Sequence, residues 1–477
     1  MVVGSFRKSS VLESALKTYL AALWCVCVYR VVTQSITHDE AFTFELYLTR
    51  GTRWIFTYFD ANNHLLATLL MKASVWLFGA SEWSLRLPSL IGAGLYFAAT
   101  YRISQAFRTA LGALTATALL TLNPFILDLM VAARGYGLAL ALWMLGFVWL
   151  LEFKNGEHPS RARLSGAGLV LALSVAANLT FLVPSAALVG TAAILSARRR
   201  AIAYHLIPPM ACVLALLLLA TPLNRATRGK LYFGSSTIQE SLRSMAEVAV
   251  AHGPPLRGMQ GIDYWVDAAG FGLAPSVLLA ALVIGIRRRN VMLMLASASA
   301  LGSAAILVLA HLSTGLPYPY ERTGFYFQAL VPLALAGIAD QCSVGSVRAR
   351  TSAVVAFAVA FMLSAQFLLQ FDTRMFPTWQ YDADTRRIVE RIAQSATDKG
   401  PGTVRVGASW VLEPSLNFYR RTKRLVWMQE VKRAPVAPGA DYYVLTGADR
   451  GVIGSLKLRP IYEGSVSGTI LAIPAWR

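Results

Sequence analysis

One apolar stretch of membrane-span length follows another along this chain, with arginine clusters between them, and that leaves few folds open. The runs fall near residues 15–34, 88–107, 109–127, 136–152, 164–180, 182–197, 203–221, 271–286, 291–311, 328–341 and 352–370. Backbone polar groups in hydrocarbon must bond within their own segment, so such runs are helices. Each is about long enough to cross a bilayer when tilted. Composition agrees: 56% of the 477 residues are hydrophobic and 14% are charged, against about 25% charged in soluble domains. The expectation is an all-α polytopic membrane bundle of about eleven spans.

The basic residues set its orientation. Lys8 and Lys17 flank the start of the first run, and Arg108 follows the second. Lys154, Arg161 and Arg163 follow the fourth, "ARRR" (Arg198–Arg200) the sixth, "RRR" (Arg287–Arg289) the eighth, and Arg348 and Arg350 the tenth. Basic residues gather in cytoplasmic loops, so the N-terminus and every even-numbered end are expected inside. The net charge of +19 resides largely in these short clusters, which argues against nucleic-acid binding. The first run is long and lacks a small-residue cleavage site, so it reads as a retained span. "HLLATLLMKASVWLFG" (64–79) is apolar but short and carries Lys72. It is expected to lie in the outer interface with its apolar face down, because a crossing there would turn every later arginine cluster outward. Cys25, Cys27, Cys212 and Cys342 give neither zinc spacing nor a disulfide framework.

From residue 372 the character changes. Residues 372–477 hold 16 Lys/Arg and 10 Asp/Glu. "TRRIVERIAQSA" (385–396) has helical periodicity, while "TVRVGAS" and "DYYVLTG" alternate like short strands. A membrane domain over 1–371 and a small outer α/β domain over 372–477 are expected.

The polar clusters between spans converge on the outer face. Asp39 and Glu40 follow the first run, in an outer loop (35–87) that opens on "SITHDEAFTFELYLTRG" (35–51). "DANNHLL" (60–66) holds Asn63 and His64 in the same loop. "NPFILDLMVAARGYGL" (123–138) brings Asp128, Arg134 and Tyr136, and "PYPYERTG" (317–324) brings Glu321 and Arg322. The spans themselves are nearly free of ionisable groups, so a site at the membrane–water interface is favoured over a transport path. Structural roles stay open. Asp39 suits the first turn of a helix, Arg134 could snorkel to headgroups, and the tyrosines and tryptophans suit an interfacial belt.

Taken in order, "THDEAFTFELYLTRG", "NNHLLATLLMKASVWLFGASEWSLRLPSLIGA", "NPFILDLMVAARGYGLAL" and "YPYERTGFYFQALVPLALA" resemble the bacterial polyprenyl-phosphate-sugar-dependent glycosyltransferases of the GT-C fold. These are relatives of the protein O-mannosyltransferases and of the lipid A aminoarabinose transferase. The resemblance implies that Asp39 is the catalytic carboxylate, with Glu40 beside it. It implies a monosaccharide donor on polyprenyl phosphate, an extracytoplasmic glycan, lipid or protein acceptor, and a place in the bacterial plasma membrane. The phosphate would be held by outer-loop residues: Arg134, Arg322, Lys72 and His64, with Asn63, Asp128, Tyr136 and Glu321 around them. The sequence departs from many relatives in carrying His64-Leu65-Leu66 where they have His-Pro-Pro or Lys-Pro-Pro. Asn62 or Asn63 stands where some have a second acid. Polyprenyl phosphate is already a good leaving group, so a base and positive charge suffice. No metal and no cofactor are expected. The rivals are a carrier of lipid-linked sugars and a non-catalytic membrane protein that binds through its tail.

Overall fold

The computed structural model describes residues 10–155, 160–196, 199–221, 233–396 and 400–476; Lys8, Arg198 and the start of the polar segment 222–270 lie outside these. Among the described residues the chain is a multi-pass helical bundle with a four-stranded sheet near its C-terminal end. Six helices are long and apolar enough to cross a membrane: α1 (Ser10–Thr33), Tyr136–Phe153, Ile202–Ala220, Ile262–Arg288, Val291–Thr314 and Ala349–Gln370. The other five expected runs also lie in helices, but shorter, more polar or bent ones: Glu82–Gln105, Ala110–Thr121 with Pro124–Val131, Arg161–Ala177, Leu182–Leu195 and Phe327–Ser343. The expected eleven therefore meets the length and apolarity of a span in six cases, or seven if the bent pair counts as one.

Burial explains which helices look most like spans. α1 buries only Leu16, Leu20, Cys27, Arg30 and Val31, so its remaining surface must be apolar all round to sit in lipid. Tyr136–Phe153 is the central helix, buried along nearly its whole length by Glu82–Gln105 and Arg161–Ala177. The straight span expected over 109–127 is instead two helices meeting at 57°. Asn123 accepts from the Phe125 and Ile126 N–H groups and Pro124 takes the first helical position, so the helix restarts there. Half of the stretch read as an outer loop, 123–138, is that second helix, Pro124–Val131, fully buried. Likewise the polar segment before residue 271 contains the helix Ile238–Val250, and the next long helix begins at Ile262.

The C-terminal sheet runs in the order β1 (Val406–Ala408), β2 (Tyr442–Leu445), β4 (Ile470–Pro474), β3 (Leu458–Glu463). β1 pairs parallel with β2, and the other two pairings are antiparallel. Helices Thr385–Ser395 and Glu413–Thr422 bury Ile388, Val389, Ile392 and Leu416 with Val444 and Leu471 of the sheet. The same core continues into Ile36, Ala41, Phe44, Tyr47 and Ile55 of the segment after α1. Phe44 and Phe418 meet edge to face at 5.1 Å. The C-terminal part is thus packed onto the first loop rather than tethered beside it.

Candidate active site

The chain leaves α1 and turns at once into α2 (His38–Thr43). Thr37 caps α2: its hydroxyl accepts the Glu40 N–H at 3.4 Å, and Glu40 Oε2 accepts the Thr37 N–H at 2.9 Å. The Thr-x-x-Glu spacing is what a reciprocal cap needs. Neighbouring residues of a helix point about 100° apart, so Asp39 and Glu40 enter different surroundings.

Glu40, expected as a second catalytic carboxylate, is sealed away from substrate. It is fully buried, and its oxygens accept from Arg86 Nε (2.8 Å), Arg86 Nη2 (2.7 Å) and the Ala133 N–H (2.7 Å). Arg86 also donates to the carbonyls of Val31 (3.2 Å), Gln34 (2.8 Å) and Ser35 (2.7 Å). Burial opposes the Glu40 charge, but Arg86 and the backbone donors outweigh it and hold the carboxyl below its usual range. The pair ties the end of α1, the start of α2 and the backbone beside Arg134 into one knot. Glu82, at the start of the next long helix, pairs with Arg386 at 2.7 Å.

Asp39 faces a small opening, with 14% of its side chain exposed. Its Oδ2 lies 3.5 Å from Arg134 Nη2 and 3.4 Å from Arg322 Nη2, and accepts no hydrogen bond. Burial works to raise its pKa, but Arg134, Arg322, His38 and the nearby Trp379 indole win, so it lies below the usual carboxylate range. Arg134 is buried and fixed by Thr43 Oγ1 (3.3 Å) and Asn62 Oδ1 (2.5 Å). The bend that aims it needs Gly135, at φ +71°, where an added Cβ would lie 2.5 Å from the Ala177 carbonyl and 3.0 Å from His64 Cβ. Arg322 lies over the Phe233 ring at 4.3 Å and near the Trp379 ring at 5.9 Å. Tyr136 lies close enough to it to favour its charge.

His64 ends the loop that precedes Leu65–Phe78, its ring 5.2 Å from that of Tyr136 and its Nε2 without a protein partner. Burial first, then Arg134 and Arg322, push its pKa well below the usual value, so the imidazole is neutral at pH 7. Thus His64, Arg134, Tyr136 and Arg322 converge on Asp39.

The remaining expected residues do not. Asn63 pins the loop through the Ile55 carbonyl at 2.8 Å. Lys72 caps the carbonyls of Tyr47, Leu48 and Arg50 at the end of the turn Phe44–Leu48, where a helix C-terminus favours a cation. Asp128 is buried between Arg30 Nη2 (2.5 Å) and His252 Nε2 (2.7 Å). Glu321 points its N–H at Ser244 Oγ (3.1 Å), and burial raises its carboxyl pKa. It leaves Arg322 to Asp39. Among the described residues no three His, Cys, Asp or Glu side chains group as a metal site.

Sequence reasoning missed the run "FPTWQYD" (376–382), which reads as interfacial aromatics. Phe376 lies between the guanidiniums of Arg30 (5.1 Å) and Arg86 (5.3 Å). Trp379 lies near Asp39, and its ring centre is 5.9 Å from the Arg322 guanidinium. Asp382 Oδ2 accepts the His38 N–H at 2.6 Å, at the start of α2. Burial, with Asp39 and Glu40 nearby, raises the Asp382 pKa well above the usual range. Contacts across more than three hundred residues leave no local pattern to read.

No protein-family model and no curated protein matches the sequence. Solved structures do match. ArnT from Cupriavidus metallidurans in the apo state covers 97% of this chain and 98% of its own at 12% identity, with a TM-score of 0.53. The same ArnT bound to undecaprenyl phosphate gives equal coverage and identity with a TM-score of 0.49. The mycobacterial arabinofuranosyltransferase AftD covers 97% of this chain and 40% of its own, at 14% identity and a TM-score of 0.45. The likeness to apo ArnT runs nearly end to end in both molecules, and on it the chain has the GT-C fold.

Proposed function

We propose that this protein is a glycosyltransferase that moves a monosaccharide from a polyprenyl-phosphate donor to an extracytoplasmic acceptor. The observation that carries the reading is the Asp39 carboxylate, partly open, with two guanidiniums 3.4 and 3.5 Å from an oxygen that accepts no hydrogen bond. Such a site offers a base and an anion clamp side by side. The acceptor O–H gives its proton to Asp39 while its oxygen bonds to the sugar's anomeric carbon. The bond from that carbon to the phosphate oxygen breaks, and its electron pair leaves with the polyprenyl phosphate. Arg134 and Arg322 stabilise the departing charge, and arginine suits it because its fork spans two phosphate oxygens. When they turn to phosphate, Asp39 loses its two strongest counter-charges and becomes a better proton acceptor. His64, neutral, and Tyr136 supply uncharged hydrogen-bonding groups beside the clamp.

In this reading the N-terminus is cytoplasmic, the Asp39 opening and residues 372–477 face the other side, and the membrane is a bacterial plasma membrane. The GT-C fold supports the class by analogy. The test presents the purified protein, in lipid nanodiscs, with sugars radiolabelled on polyprenyl phosphate or on nucleotides, together with membrane extract. Discharge of label from the lipid phosphate alone supports the reading. Use of the nucleotide donor, or passage of the lipid-linked sugar across a vesicle membrane uncleaved, overturns it.

A further inference from the structure

Beside Asp39, on the side of α2 that meets the C-terminal part, a second cluster has no part in the donor clamp. His38 and Phe42 lie one turn apart on α2, with ring centroids 6.4 Å apart and nearly parallel. The C-terminal part closes over them. Trp410 stands edge-on to His38 at 6.0 Å, and Arg433 lies over both the Trp410 ring (5.3 Å) and the Phe42 ring (5.8 Å). Arg433 Nη2 is 3.4 Å from His38 Nε2, and Arg433 Nε is 3.5 Å from Glu413 Oε2.

Two features separate this cluster from ordinary packing. Trp410 is 56% exposed, although indole is a large apolar surface to leave in water. Yet it is rigidly presented. His38 Nδ1 bonds the Val411 carbonyl at 2.5 Å, and the Ser409 N–H donates to the Val444 carbonyl at 2.9 Å. Asn417 holds Glu413 through its other oxygen at 2.8 Å. A fixed, exposed aromatic ringed by hydrogen-bonding groups is a preformed binding surface. Its charges balance: Arg433 against Glu413, with His38 held below its usual pKa chiefly by burial. An uncharged ligand with one flat apolar face and a polar rim fits it, which is the character of a sugar ring.

We propose that Phe42, Trp410, Glu413, Arg433 and His38, the residue next to Asp39 in the chain, form the subsite for a carbohydrate acceptor, with the ring stacked on Trp410. This rests on the glycosyltransferase reading and assigns its acceptor class. It also gives the C-terminal part a share in the site.

The experiment uses the full-length protein in nanodiscs and a panel of methyl glycosides as probes. Binding is read by saturation-transfer NMR, and turnover is read with a labelled polyprenyl-phosphate sugar. Wild type is expected to bind at least one glycoside through its ring protons and to use it as acceptor. Trp410→Ala is expected to raise the acceptor KM about tenfold or more, with donor KM and thermal stability unchanged. Trp410→Phe, which keeps a flat face, is expected to fall between. Equal acceptor KM in wild type and Trp410→Ala, with transfer intact, overturns the subsite alone. Binding of glycosides to neither protein overturns it whether or not the donor is discharged. Glycoside binding lost in Trp410→Ala without any transfer by wild type upholds the subsite and overturns the enzyme. Loss in Trp410→Ala of fluorescence quenching by brominated nanodisc lipid, with acceptor KM unchanged, makes Trp410 a membrane anchor and overturns the proposal.

Discussion

Removing the Arg86 guanidinium tests how the site is held. Arg86→Met keeps a long apolar side chain but leaves the Glu40 carboxylate buried with only the Thr37 and Ala133 N–H groups. It also strips a donor from the carbonyls of Val31, Gln34 and Ser35. Breaking a fully buried pair from one side costs about 3–5 kcal/mol, a large share of the roughly 5–15 kcal/mol that typically separates folded from unfolded states. Thermal unfolding in detergent should show that loss directly. The double variant Arg86→Met, Glu40→Leu removes the stranded charge and should recover about half of the lost stability, since the two residues share one network. Sugar transfer should stay low in the double variant, because Ala133 has lost its acceptor and the backbone beside Arg134 is no longer tied to α2. If Arg86→Met unfolds within about 1 kcal/mol of wild type and transfers sugar normally, the knot of Glu40 and Arg86 does not position the site.

Further outcomes follow from single groups. Asp382 has a raised pKa in the folded state, so folding favours its neutral form; that contribution is present below about pH 4, the unfolded value, and lost as pH rises through the folded one. Asp382→Asn should therefore raise the melting temperature at pH 7 and change it little at pH 4. Asp39 and Glu40 behave oppositely: their depressed values stabilise the fold above about pH 4, and acid should erode that contribution as pH falls through the folded values, as a pH series on Asp39→Asn against wild type would show. Arg134→Lys loses the fork and should cut kcat about a hundredfold in a transfer assay. Gly135→Ala should lower stability by about 1–3 kcal/mol, read by thermal unfolding, because its φ of +71° and the Ala177 carbonyl both oppose a side chain.

The helical bundle was legible in the sequence because apolar length is a one-dimensional signal, and a helix start at Asp39 was legible because first-turn chemistry is local, although the Thr37 cap that opens it went unread. Asp39, Arg134, Tyr136, His64 and Arg322 could be named because each lies in a short polar stretch between apolar runs. Their pairing could not. Arg322 lies beside Glu321 in sequence yet faces Asp39, because the turn that carries it places the Glu321 backbone against Ser244. Asp128 and Lys72 looked equally available, and only packing shows that Arg30 with His252, and a row of helix-end carbonyls, already occupy them. The bend at Asn123-Pro124 was written in the dipeptide and was outweighed by the apolar run around it. Trp379 and Trp410 carried no local mark, since an aromatic in a chain this rich in them has no distinguishing neighbour pattern, and Asp382 meets His38 only across 344 residues.

The most direct measurement compares wild type with Asp39→Asn at equal expression in membranes, for transfer from a panel of radiolabelled polyprenyl-phosphate sugars. Asparagine keeps the shape and removes the base. Transfer by wild type with loss of several orders of magnitude in the variant is the expected result. Equal transfer by both would make Asp39 only the first turn of α2 and contradict the account.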